Sequence, residues 1–257
     1  LNILEQYYAF LTIVRKEIRR YLRIWPQTLL PSAITMSLYF VIFGSLIGSR
    51  IGNMGGFTYM EFVVPGLIMM AIVTNSYSNV VSSFYGSKFN DSIEELLVSP
   101  TPNYIILLGY IVGGVSRGLL VAILVTLVSL FFTRLEISNY SLVIAVVLLT
   151  STLFSLGGFI NAVFANSFDD IAIVPTFVLT PLIYLGGVFY SMDLLPQFWA
   201  NVSQLNPLVY VINAFRFGVL GISDVNIGFA LSMIFGFTIL AFVYSMYLLN
   251  TGTRLRQ

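Results

Sequence analysis

Carboxylates and hydroxyls are the main groups able to do chemistry in this chain, because its 257 residues include no histidine and no cysteine. That absence excludes imidazole and thiolate metal sites, cysteine nucleophiles, disulfides and Ser/His/Asp triads. Glu61, Asp169 and Asp170 flank apolar runs. A proton-coupled carrier needs ionisable groups well inside its spans, and none of these is central. No G-x-x-x-x-G-K-[ST] loop occurs, since Gly86, Ser87 and Lys88 lack the upstream glycine spacing that cradles phosphates. The chain is therefore expected to have no catalytic residue, metal or cofactor of its own. If ATP and Mg drive its work, a second polypeptide must bind them.

The most informative polar segment is Ser92, Ile93, Glu94, Glu95, Leu96, Leu97, Val98 and Ser99, followed by Pro100, Thr101 and Pro102. Ser92 and Glu95 have capping-box spacing, and Glu94 with Glu95 suits the positive end of a short helix. A two-turn helix is predicted, stopped by Pro100 and Pro102. It has the shape to dock in a groove on another protein, and equally to fold against its own bundle. Two further polar clusters lie inside apolar runs. Thr74, Asn75, Ser76, Tyr77, Ser78 and Asn79 are consecutive, and Thr176, Thr180 and Tyr184 recur every fourth residue. Polar groups facing lipid leave hydrogen bonds unmade, so these faces point at protein or at a wet cavity. Helix-to-helix hydrogen bonding and a translocation path lined by Asn75, Tyr77, Asn79, Thr176, Thr180 and Tyr184 both satisfy that requirement.

The elements that hold these residues must be membrane helices. Hydrophobic residues make up 58% of the chain and charged residues 9%, with a mean hydropathy of +0.91, whereas soluble domains carry about 25% charged residues. Six crossings of about 20 residues each are predicted, at 28–48, 62–81, 113–132, 140–163, 171–189 and 227–249. The run from Tyr104 to Phe132 spans about 43 Å at 1.5 Å per residue, so its first part is assigned to the interface, where Arg117 can snorkel to water. Over 7–25 the apolar positions oppose Arg15, Lys16, Arg19, Arg20 and Arg23, which predicts an amphipathic helix lying flat in the interface. The runs 195–205 and 208–220, split by Asn206 and Pro207, are each too short to span and are predicted as two re-entrant outer helices. One kinked seventh span is the alternative. Gly44 with Gly48, Gly109 with Gly113, and Gly114 with Gly118 permit close helix contact.

Cations fix the expected orientation. With both termini in the cytosol the inner side carries Arg15, Lys16, Arg19, Arg20, Arg23, Lys88, Arg117, Arg254 and Arg256, against Arg50, Arg134 and Arg216 outside. The few dispersed cations give no face for nucleic acid. No removable signal peptide is expected, the first apolar span acting as its own insertion signal.

Taken together, the Arg-rich amphipathic helix, the six spans, the segment from Ser92 to Pro100 and the outer motifs Leu195-Pro196 and Leu205-Asn206-Pro207 resemble the membrane subunit of the ABC-2 type exporter family. The stretches Pro65–Met70, Phe168–Asp170, Val174–Pro181 and Tyr184–Tyr190 strengthen it. The resemblance covers almost the whole chain. It implies an all-α, multi-pass permease of a bacterial inner membrane, acting as a homodimer with a separate ABC ATPase. It also implies that 92–100 is the coupling helix, that 7–25 helps to grip the ATPase, and that the second and fifth spans line the path. Substrates in such a family range from lipids and glycans to drugs. A stand-alone channel or carrier, and a membrane scaffold, are the other readings of the residues themselves.

Overall fold

The computed structural model describes residues 2–252, apart from the side chains of Ser45 and Ser49; Arg254 and Arg256, used in the charge count, lie outside the described residues. Helix α1 spans Ile3–Arg23, with Glu5 accepting a hydrogen bond from the Asn2 backbone at its start. Two short steps follow, α2 (Trp25–Thr28) and α3 (Leu30–Tyr39), each with a proline in its first turn, where a missing N–H leaves no bond unmade. A π-helical stretch, Phe40–Ile47, and α4 (Gly48–Ile51) complete the first crossing. A small antiparallel pair, β1 (Asn53–Met54) with β2 (Phe57–Thr58), turns the chain and departs from the purely helical expectation.

Helix α5 runs Tyr59–Phe89, well beyond the predicted 62–81. Glu61 closes its first turn by accepting bonds from the Thr58 backbone and hydroxyl, both at 2.8 Å. After a left-handed residue, Asp91, comes α6 (Ser92–Val98). Helix α7 covers Asn103–Ser129 without a break. The stretch before the predicted start at 113 is part of the same helix, and its Ile105, Ile106, Leu107, Tyr110 and Ile111 are buried in the bundle. Helix α8 (Tyr140–Phe164) matches the fourth predicted crossing.

The predicted fifth crossing is the least regular. It consists of α9 (Phe168–Val174), a π-helical turn at Pro175–Leu179 and α10 (Thr180–Tyr184), ending five residues before 189. Pro175 and Pro181 interrupt the hydrogen-bond ladder, which accounts for the local unwinding. A 3₁₀ turn at Met192–Leu194 leads to α11 (Gln197–Gln204), α12 (Pro207–Leu220) and finally α13 (Ile227–Thr251). Among the described residues, five helices are long and apolar enough to cross a membrane: Trp25–Gly44, α5, α7, α8 and α13.

The core is built around α5. Of its apolar window 78% is buried, against 17% for Trp25–Gly44 and for α13, so the latter two are peripheral and α5 is the axis. The glycine pairs of α7 explain how close the packing is. A Cβ on Gly109 or Gly113 would collide with Ile13 or Glu17 of α1, and one on Gly114 or Gly118 would meet Ser155 and Val80, or Ser76 and Ser151. One helix therefore receives α1 on one pair and α5 with α8 on the other. Gly44 likewise admits Met60.

Candidate coupling and transport surfaces

Helix α6 is short and anchored at one point. Ile93 is 1% exposed, and Leu96 and Leu97 pack partly on the core, while Glu94, Glu95 and Val98 are exposed. The expected capping box is absent. Asp91 is the N-cap residue, in the left-handed region at φ 57, and Ser92 instead donates to the Ser87 carbonyl at 3.2 Å. The short α5–α6 connection accounts for this, because Ser92 lies within reach of the last turn of α5. Ser99 caps the C-terminal end through the Leu96 carbonyl at 2.6 Å, and Pro100 follows it, exposed. The helix is thus both folded on its own bundle and free along its acidic edge.

A cleft of ≈ 470 Å³ separates α6 from α1, lined by Ala9, Thr12, Lys16, Glu95, Leu96 and Thr101 among others. Helix α1 forms its other wall by running beside α7. The Tyr104 hydroxyl donates to Gln6, Ile13 and Glu17 sit over Gly109 and Gly113, and the Tyr21 hydroxyl reaches Ser116. Contacts advance in step along both helices, so α1 stands alongside α7 rather than lying flat across its foot.

The inward face of α1 is polar. Glu17 is fully buried; it accepts from Ser83 at 2.6 Å and lies 3.5 Å from Arg20. Burial pushes its carboxyl above the ordinary value, opposed by the charges of Arg20 and Lys16 and by the Ser83 bond. Arg20 also donates to the Asn79 carbonyl and side chain at 2.8 and 2.9 Å, and Lys16 approaches Ser87 at 3.4 Å. Arg15, Arg19 and Arg23 remain exposed. Glu17 was not a sequence candidate; its spacing with Ile13 and Tyr21, every fourth residue, was the available signal.

The two polar clusters of the spans part company within one protomer. Asn75 and Asn79 are buried and bonded, Asn75 to Ser32, Ala71 and Arg117, and Asn79 to Arg20. Arg117, half-buried, is correspondingly held on Asn75 and the Thr28 carbonyl. Tyr77 is 2% exposed and borders an apolar cavity of ≈ 480 Å³ between α5, α8, α12 and α13, with Val174 and Leu179 as a further wall. On the other face of the same stretch Thr74 is exposed and Ser78 and Ser82 are half-buried. Thr176, Thr180 and Tyr184 are exposed on the broken fifth crossing. At its C-terminal end Tyr184 meets the Tyr39 hydroxyl at 2.9 Å, and Phe43 stacks on Phe189 at 4.4 Å.

The two predicted outer helices differ in kind. Helix α11 exposes Phe198, Trp199 and Val202, whereas α12 is buried along most of its length. Arg216, counted among the outer cations, is wholly buried; it donates to the Gly187 carbonyl at 2.6 Å and lies over the Phe62 ring at 3.9 Å.

Among the described residues no group of His, Cys, Asp and Glu is arranged to hold a metal ion. A family model, ABC-2 type transporter, matches residues 8–220. The inner membrane transport permease YadH of Escherichia coli K12 is 55% identical over 249 residues, covering 97% of both chains. Nodulation protein J of Neorhizobium galegae is 23% identical over 242 residues, with 94% of this chain and 92% of the relative covered. Nodulation protein J of Rhizobium meliloti is 22% identical over 214 residues, 83% of this chain and 82% of the relative.

Proposed function

The chain belongs to the ABC-2 type transporter membrane family, and from that premise we propose that it is the membrane half of an exporter in which two copies work with a separate cytosolic ATPase. It is a permease subunit without an ATPase domain. Both termini are assigned to the cytosol, with six crossings, the fifth of them being the short, proline-interrupted stretch from Phe168 to Tyr184.

The observation that carries this reading is α6. A seven-residue helix pinned by Ile93, with Glu94, Glu95 and Val98 left bare beside the cleft to α1, supports a coupling role. It follows directly on α5, so force applied to α6 enters the central helix of the bundle. The path runs between protomers, along Thr74, Ser78 and Ser82 of α5 with Thr176, Thr180 and Tyr184 opposite. The Tyr39, Tyr184 and Phe189 cluster closes its outer end. ATP closure of the ATPase dimer moves α6, and the path opens outward by alternating access.

Copurification of tagged permease with its ATPase, comparing wild type with a Glu94→Lys, Glu95→Lys, Val98→Ser variant, tests the reading. Loss of the ATPase from a folded variant is the expected result. Absence of an ATPase from the wild-type preparation would favour a stand-alone carrier.

A further inference from the structure

The C-terminal half of α1 borders a cleft of ≈ 530 Å³ lined by Lys16, Arg19, Arg20, Arg23 and Ile24. Four cations and no carboxylate face it. Glu17 offsets Arg20, but Arg19 and Arg23 form no ion pair among the described residues. Both are exposed and open to a ligand, and the planar guanidinium matches phosphate oxygens two at a time.

The depth of the cleft narrows the choice of anion. Arg20 grips Asn79 on α5, 20 residues from Tyr59, or about 30 Å at 1.5 Å per residue, which is the thickness of the hydrocarbon core. With Tyr59 taken at the outer boundary of the hydrocarbon core, in the orientation adopted above, the cleft lies level with the phosphates of the inner leaflet. Arg20 also reaches Ser82, at 3.4 Å, so the cleft opens at the foot of the polar stripe Thr74, Ser78 and Ser82.

We propose that this cleft is a phosphate site, where Arg19 and Arg23 hold the headgroup of an anionic amphiphile at the inner end of the transport path. The assignment rests on the exporter reading and gives it a substrate class. Lys16 and Arg20 frame the site and hold α1 to α5. Arg19 and Arg23 are free to bind.

The test uses the full chain in detergent, without any ATPase, and three probes: dioctanoyl phosphatidylglycerol, dioctanoyl phosphatidylcholine and inorganic phosphate. Wild type is expected to bind phosphatidylglycerol more tightly than phosphatidylcholine, and an Arg19→Gln, Arg23→Gln variant to bind it about tenfold more weakly, as loss of charge-assisted bonds implies. Arg15→Gln, on α1 but outside the cleft, is expected to bind as wild type. Inorganic phosphate that fails to displace the lipid assigns the site to a headgroup, and displacement at equal concentration would overturn that in favour of the free ion. Unchanged phosphatidylglycerol binding in the double variant would overturn the site itself. So would loss of the ATPase from that variant in copurification, which would make the arginines a protein contact. Failure of wild type to bring down an ATPase bears on the exporter reading alone.

Discussion

The Glu17 carboxylate and the Ser83 hydroxyl, 66 residues apart in sequence, meet at 2.6 Å in a position sealed from solvent. This contact ties the N-terminal helix to the central one. Because burial raises the Glu17 carboxyl above its ordinary 4.5, the native state favours its protonated form relative to the unfolded chain. That contribution to stability is fully present below pH 4.5 and is lost as pH rises through the raised value. Melting curves of wild type and Glu17→Gln are expected to diverge above pH 4.5, with wild type losing ground toward neutrality. A relative gain by wild type would mean that Arg20 outweighs burial.

Gly113 tests the α1–α7 contact. A Cβ there would lie 2.6 Å from the Glu17 Cβ, so Gly113→Val is expected to cost about 1–3 kcal/mol by overpacking. Gly86 has open space around it, and Gly86→Ala is expected to stabilise by about 0.5–1 kcal/mol through helix propensity. Melting temperatures in detergent should move in opposite directions.

Lys88, near the end of α5, donates to the carbonyls of Val163 and Ala165, both at 2.9 Å. Lys88→Met removes these donors from the turn between α8 and α9, at an expected cost of about 1–3 kcal/mol. A cysteine at Ser167 should then be alkylated faster in the Lys88→Met background than in wild type.

Glu94 and Glu95 are exposed, whereas Ile93 is buried. Reversing both charges should abolish stimulation of the ATPase by the permease while membrane insertion and melting stay as in wild type. Ile93→Asp should lower the yield of folded protein, since it buries an unpaired charge. Equal stimulation by the charge-reversed variant would count against α6 as the coupling element.

Apolar run length made most of the crossings legible, because a bilayer imposes a minimum of about 20 residues on each. The helix Tyr140–Phe164 ends within a residue of the apolar run predicted at 140–163. Hydropathy could not see where a helix continues past the lipid, so the extension of α5 to Phe89 and the unbroken α7 were missed. Polarity alone could not separate Asn75 and Asn79, bonded inside the protomer, from Thr74 and Ser78 beside them at the surface. That distinction depends on which side of α5 is covered by α1 and α7, a relation between residues far apart in sequence. Arg216 illustrates the same limit: nothing near it in the chain announces the Phe62 ring and Gly187 carbonyl that enclose it.

Gly66 of α5 lies against the backbone of Val188, where an added Cβ would approach within 2.9 Å. Two backbone segments in close contact there would give α5 a fulcrum near its outer end in the orientation proposed above. From Gly66 the helix extends about 10 Å outward to Tyr59 and about 33 Å inward to Lys88 at 1.5 Å per residue. Tilting about that point sweeps the inner end through roughly three times the arc of the outer end. In the coupling proposed above, a wide swing at the ATPase would be geared down to a fine displacement beside the aromatic cluster.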